Sequence, residues 1–270
     1  MTQLRIGISG YDYKPWRGSF YPLELPARRW LEYASRIFTT IELNGTFYSL
    51  KSPAVFSRWI SETPDDFLFA IKGSRFITHN LKLRNCETAL GNFFASGILL
   101  LGHKTGPFLW QLPATYSFDA DRIRSFIAML PRNSHEAERT AAQHDHRLKR
   151  GACVTAATVV DYRHAFEVRH PSYFTGAFFS LLEELGCGFV IADTAGKFPY
   201  AEAVTTDFVY VRLHGSRAIY ASSYSDTELK ALALKVKRWQ RKGDVYVYFD
   251  NDIKTYAPFD ALRLIALTSK

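Results

Sequence analysis

Short apolar runs alternate along the chain with longer stretches of helical periodicity. The strand-like runs are Leu4 to Ser9, Thr39 to Asn44, Phe67 to Lys72, Pro107 to Leu112, His164 to Arg169, Gly188 to Asp193, Phe208 to Leu213 and Val245 to Phe249. Amphipathic stretches lie between them: Pro26 to Ile37, Ala54 to Ser61, Asp119 to Leu130, Phe174 to Leu185, Asp226 to Arg241, and a last one from Pro258 to Leu267. No Pro/Gly/Ser-rich linker or low-complexity segment divides the series. Eight strand–helix pairs in 270 residues predict a single (β/α)8 TIM-type barrel over residues 1–270, with a helical insertion near 133–160. An open doubly wound sheet produces a similar alternation, so the count alone does not choose between them.

The strand ends favour the barrel. Side chains alternate faces along a strand, so polar residues in one phase share a face. In the seventh run Val209, Val211 and Leu213 take one face and Tyr210, Arg212 and His214 the other. In the second, Ile41 and Leu43 oppose Glu42 and Asn44; in the third, Phe69 and Ile71 oppose Ala70 and Lys72; in the fifth, Phe166 and Val168 oppose Glu167 and Arg169. Ser9, Gln111, Asp193 and Asp250 end their strands compatibly. Polar groups at the C-terminal ends of many strands suit a barrel's active rim, whereas an open sheet gathers them at one switch point. A closed barrel also requires the first run, LRIGIS, to pair with the last, VYVYF.

Composition narrows the class. The chain is 47% hydrophobic and 22% charged, which supports a large core. The opening residues show no basic segment followed by a long apolar stretch, and apolar runs such as Gly97 to Leu101 are too short to span a bilayer, so secretion and membrane insertion are not expected. Three widely spaced cysteines, Cys86, Cys153 and Cys187, fit a reducing cytoplasm and supply no CxxC zinc site. The formal charge of +8 admits anionic partners without specifying one. Its densest stretches, Arg139 to Arg150 and Lys235 to Lys242, read first as solvated helix faces and second as polyanion contacts.

The candidate chemistry lies at the strand ends. Glu42, Lys72, Glu167, Asp193 and His214 are the candidate catalytic residues, His214 beside a carboxylate forming the acid–base pair. Lys72 could act as an amine nucleophile, although nearby carboxylates are expected to hold it protonated. Arg75, Arg169 and Arg212 offer planar forks for carboxylate or phosphate; with Asn44, Asn251, Tyr48, His79 and Tyr11 they make the candidate ligand-binding set. Trp16, Phe76, Tyr173 and Tyr220 are further rim aromatics. Counting Glu42, Glu167, Asp193 and Asp250 against Lys72, Arg75, Arg169 and Arg212, the rim is charge-balanced, and a closing salt-bridge network is the purely structural alternative. His144, Asp145 and His146 are expected at the surface. HExxH, GxGxxG, the P-loop and GxSxG are absent, so no metal site is assigned, no cofactor is named, and folding is expected to need no tightly bound transition metal.

The segments GISGYDYKPWRGSFYP, YASRIFTTIELNGTFY, FLFAIKGSRFITH, LPATYSF, EVRHPSY, YVRLHGSRAIY and YFDNDIKTYAPFDALRL, in this order, resemble the YecE-like family, domain of unknown function 72. The resemblance covers nearly the whole chain. It implies a (β/α)8 barrel distantly similar to the xylose isomerase and endonuclease IV barrels, and no settled activity. Where the family usually carries Phe-Asn-Asn, this chain has Phe249, Asp250 and Asn251, one more negative charge. The reading is therefore a barrel of unassigned activity, expected to be a hydrolase, lyase or isomerase acting on a small phosphorylated or otherwise anionic substrate. The alternatives are a nucleic-acid-binding barrel and a non-catalytic ligand-binding regulatory protein.

Overall fold

Each strand-like run forms a strand because its branched and aromatic residues can bury one face against helices and the other against the barrel interior. A computed structural model describes residues 2–269. Its strands are β1 (Leu4–Ser9), β2 (Thr40–Leu43), β3 (Leu68–Lys72), β4 (Thr105–Gln111), β5 (His164–Glu167), β6 (Gly188–Asp193), β7 (Phe208–Leu213) and β8 (Asp244–Phe249). They are all parallel and close into one barrel in chain order. Closure is made by β1 against β8, with Ile6 opposite Val247 and Ile8 opposite Phe249. The expected strands thus stand within two residues at each end.

The helices are α1 (Trp30–Ser35), α2 (Gly45–Tyr48), α3 (Pro53–Ser61), α4 (Glu87–Ala95), α5 (Ala120–Met129), α6 (Ser134–Ala141), α7 (Gly176–Glu184), α8 (Asp226–Gln240) and α9 (Tyr256–Thr268). Caps fix several starts: Asp119, Asn133 and Thr175 accept a backbone N–H at their helix N-termini, and Ser225 with Glu228 forms a reciprocal capping box on α8. α4 carries no clear polar face, since all but its first two residues are buried, and periodicity therefore does not reveal it. The expected helical insertion is helical only in α6; irregular chain follows it to β5. Asp145 there accepts from Asn92 Nδ2 at 3.0 Å and pairs with Arg147, while His146 is exposed, a surface arrangement.

One crossover departs from the expected pairing. Residues 194–207, between β6 and β7, carry no helix: Ala195 and Gly196 both have positive φ and Pro199 follows. With no helix between β6 and β7, α7 covers only part of β6, through Phe178 and Phe179 on Phe189, and a cavity of about 370 Å³ remains beside α8, lined by Ile191, Val211, Leu213, Tyr224 and Trp239. The basic run at the end of α8 lies on its solvent side, because Leu229, Ala233, Val236 and Trp239 face inward.

Inside the barrel a second, smaller core fills the lower half: Ala70, Leu109, Ala165, Val190, Phe208, Tyr210, Tyr246 and Tyr248. Gly7 is required on β1, since a Cβ there would stand 2.0 Å from the Thr40 carbonyl oxygen. Three tyrosines in the interior phase of β7 and β8 bring hydroxyls into an apolar space, and each finds a partner. Tyr248 shares a 2.8 Å hydrogen bond with Thr40, Tyr246 accepts from Arg163 at 3.0 Å, and Tyr210 points up to Glu42. That last bond joins the packed core to the polar layer above it. Among the described residues no helix is long and apolar enough to cross a membrane.

Candidate functional site

The interior phase that puts Tyr210 in the core puts Arg212 two residues higher, at the barrel axis. Its guanidinium is wholly buried and donates in several directions at once. Nε reaches Glu42 Oε2 at 3.0 Å, Nη2 reaches Glu42 Oε1 at 2.7 Å and Asp250 Oδ2 at 2.9 Å, and Nη1 reaches Glu167 Oε2 at 2.6 Å. Ser9 Oγ accepts from Nη2 at 3.1 Å and donates to Glu42, while Tyr210 donates to Glu42 at 2.6 Å. A buried charge is tolerated only when paired and hydrogen-bonded, and this planar fork satisfies that with three carboxylates from β2, β5 and β8. Burial by itself would lift the Glu167 and Asp250 carboxyls, but neighbouring cations, Arg169 and Arg212 for Glu167 and chiefly Arg212 for Asp250, hold both below the usual carboxylate range. Burial works against the Arg212 charge as well, and Glu42, Asp250 and Glu167 outweigh it.

His214, two residues beyond Arg212, shares its phase and is fully buried. Its Nδ1 stands 2.9 Å from Asp250 Oδ2, its Nε2 3.3 Å from Arg212 Nη1, and Tyr220 packs edge-on against its ring. The extra negative charge of Asp250 is therefore shared between Arg212 and His214. Asn44 extends the layer towards the rim, its Nδ2 donating to Ser9 Oγ at 2.8 Å.

Above this layer the charge changes sign. Lys72, at the end of β3, is only 7% exposed, with Nζ 4.5 Å from the centre of the Phe47 ring. Among the described residues it makes no ion pair, because Arg212 and Arg169 engage the carboxylates beneath it. Burial and the Arg212 charge bring its amine down to about 8, against the partial opposition of Glu42, Glu167 and Asp250. Arg169 donates to Glu167 Oε1 at 2.9 Å and lies over the Phe198 ring. His79, on a single π turn (Phe76–Asn80) just after β3, is half-buried, and burial followed by Arg75, Lys72 and Arg169 pushes it down to about 4. Lys72, Arg169 and His79 are thus neighbouring groups of one sign or neutral, and Arg75 adds an exposed positive charge just before the π turn.

Of the expected catalytic set, Glu42, Lys72, Glu167 and His214 come together with Arg212, Arg169 and Asn44 as their strand phases require. Asp193 does not. It shares the phase of Phe189 and Ile191, points out of the barrel, and accepts from the Tyr224 hydroxyl and the Ala195 N–H, both at 3.1 Å. Removing it leaves Glu42, Glu167 and Asp250 against Lys72, Arg75, Arg169 and Arg212, so the expected charge balance becomes a positive excess. Asn251 is also displaced outward, in phase with Phe249, where Nδ2 donates to Ser222 O and Asp260 Oδ2, each at 2.9 Å. Tyr48 is 74% exposed on α2, and the Tyr11 hydroxyl accepts from Trp59 at 2.8 Å, so neither joins the buried cluster. Trp16 and Tyr173 are core residues and Phe76 is exposed, whereas Tyr220 covers His214.

Ser9, Tyr210 and Asp250 also belong to the cluster; Ser9 and Asp250 are expected at the rim without a catalytic or binding role, and Tyr210 only on the face of Arg212. The two-residue phase carried from Tyr246 through Tyr248 to Asp250, and from Tyr210 to Arg212, is the signal that finds the last two. Phe47 and Phe198, which pack beneath Lys72 and Arg169, carry no local signal. Among the described residues no group of three or more His, Cys, Asp or Glu is arranged to hold a metal ion.

The comparisons agree on one family. The profile described as "Protein of unknown function DUF72" matches residues 5–270. The UPF0759 protein YecE of Escherichia coli strain K12 is 37% identical over 86 residues, 32% of this chain. The chain spans about a third of the length of the curated relatives it matches, 31% of each. Among solved structures, a DUF72 family protein from Thermotoga maritima MSB8 superposes with a TM-score of 0.79 at 26% identity, covering 99% of this chain and 100% of that one. Another from Enterococcus faecalis V583 gives 0.76 at 16% identity, covering 99% and 96%. With a family profile matched over almost its full length and a barrel of the same architecture, the chain belongs to the DUF72 family.

Proposed function

We propose that the barrel mouth binds a small anionic substrate and acts on it by proton-transfer chemistry, as a hydrolase, lyase or isomerase. The observation that supports this is the buried, unpaired Lys72 beside Arg169, with the exposed Arg75 nearby, while Arg212 and Arg169 occupy the carboxylates below. Lys72, Arg169 and Arg212 balance Glu42, Glu167 and Asp250 in the buried part of the site, and the exposed Arg75 at its edge is the positive charge left to meet an anion. Arg75 and Arg169 hold the anion in this reading, and Lys72 is the reactive amine, since it alone combines burial, freedom from ion pairing and a proton affinity near neutrality. His214 orients Asp250 and Arg212 beneath it.

Calorimetric titration with inorganic phosphate and with a set of small carboxylates tests the binding step. Arg169→Met should weaken phosphate binding by about 10- to 100-fold, the loss of one charge-assisted interaction. Equal affinity in the variant, or no anion binding by the wild type, overturns the assignment. A turnover screen over small phosphorylated and carboxylated compounds tests the catalytic step: activity lost in Lys72→Met supports an enzyme, and binding without any turnover across the screen supports the regulatory alternative.

A separate observation favours a nucleic-acid backbone as an alternative partner. Lys51, Lys149 and Arg150 line one open depression beside α2, and among the described residues none of them makes an ion pair. Burial and Arg150 lower the Lys51 amine. If three phosphates are neutralised there, log K against log salt should fall with a slope of about −2 to −3, and charge reversal at the three positions should abolish it. No binding of DNA or RNA at low salt removes this reading.

A further inference from the structure

We propose that Lys72 reacts covalently, its Nζ condensing with the carbonyl carbon of a small aldehyde or ketone that also carries a carboxylate or phosphate. This deepens the anionic-substrate reading and rests on it. Four features of the site carry the inference. Lys72 is the buried amine at the floor of the mouth, and no carboxylate holds it in an ion pair. Its Nζ sits 4.5 Å above the centre of the Phe47 ring, an apolar surface that takes the place of water on that side and favours a cation there, whether ammonium or protonated imine. Arg169, and the exposed Arg75 immediately before the π turn, would hold the anionic group while the carbonyl reaches the amine. Beneath it, Glu42, Glu167 and Asp250 form a negative layer that would stabilise a cation at the Lys72 position without abstracting it into a fixed salt bridge.

The step balances within the site. The ammonium form of Lys72 loses a proton, the free amine attacks the carbonyl carbon, and the C–O bond of the resulting carbinolamine breaks. The oxygen departs as water carrying two protons that the ammonium supplied. The product is a protonated imine with the positive charge of the original lysine, so the site's net charge is unchanged and no oxidant, reductant or metal is consumed. With an amine near 8 against the ordinary 10.5, the nucleophilic free-base fraction at neutral pH is larger by roughly two orders of magnitude than for a surface lysine. An imine adjacent to a C–H or C–C bond then withdraws electrons from it, which suits the lyase and isomerase readings above the hydrolase one.

The test uses the whole protein with pyruvate as the carboxylate probe, dihydroxyacetone phosphate as the phosphate probe and acetone as the neutral control, each trapped with sodium cyanoborohydride and mapped by peptide mass spectrometry. A reduced adduct concentrated on Lys72 with an anionic probe, at least 10-fold above acetone and suppressed by inorganic phosphate, is the expected result. Whichever anionic probe labels Lys72 identifies the anion that the mouth prefers. Lys72→Arg should lose the adduct while keeping the wild-type unfolding transition, which separates loss of the amine from loss of the fold. Labelling confined to surface lysines in a protein that still binds phosphate through Arg169 overturns the covalent step and leaves the anion site standing. A protein that binds no phosphate and forms no adduct overturns both.

Discussion

Arg212→Met is expected to destabilise the fold by about 3–5 kcal/mol near neutral pH, measured by urea unfolding, because it strips the shared partner from three buried carboxylates. Methionine approximates the volume, so the loss would come from charge and hydrogen bonding and not from a cavity. The pH dependence identifies the cause. In the wild type, Glu167 and Asp250 have folded values below their ordinary 4.5 and 3.8, so the unfolded chain takes up protons first. Their contribution is complete above that range and is lost as pH falls below it towards the folded values. Without Arg212 the sign reverses for any carboxyl whose folded value rises above the unfolded one: the folded state then holds the proton more tightly, and stability declines as pH rises through that raised value. The destabilisation should therefore shrink on acidification. A difference below 1 kcal/mol that is flat with pH would mean that the network carries little of the fold.

Lys72→Met should do the opposite, raising stability at pH 7 by up to about 3 kcal/mol while reducing anion binding at least 10-fold. The folded amine near 8 and the ordinary value of 10.5 differ by an amount worth about 3 kcal/mol when fully expressed. Because the folded value is the lower one, the unfolded chain binds the extra proton between the two. The penalty for burying the ammonium is complete below about pH 8 and disappears as pH rises to 10.5. The methionine variant's advantage should vanish over the same interval. A stabilising loss-of-function substitution is what a group retained for chemistry and not for folding produces. If Lys72→Met destabilises the protein and leaves phosphate affinity unchanged, Lys72 is a structural residue.

How legible was the site before the fold was known? Arg212, His214, Glu42 and Glu167 were placed together by strand parity alone, and Lys72 by parity with Ala70. Asp193 and Asn251 point outward by that same parity, Asp193 continuing the phase of Phe189 and Ile191, and Asn251 that of Phe249. The mutual engagement of Arg212 with three carboxylates was not legible, since it depends on the register of β2, β5, β7 and β8 around the circuit. Consequently Lys72 has no ion pair among the described residues although Glu42, Glu167 and Asp250 still favour its protonated form, and with its amine near 8 it stays mainly an ammonium at neutral pH. The carboxylates are nearer to a stronger, planar donor.

What the sequence determined by itself is the alternation of eight strands with amphipathic segments, the inward phase of most of the polar strand ends, and the family. Those properties are local, set by side-chain period and by contiguous motifs. The tertiary structure alone decided that α4 is buried almost all round, and that Arg212 and Arg169 take up the carboxylates and leave Lys72 unpaired above them. Each depends on contacts between segments far apart in the chain. The charge of a rim residue is written in its codon, but whether that charge is spent on a neighbour or left facing a ligand is set by strand register and burial, which no single segment contains.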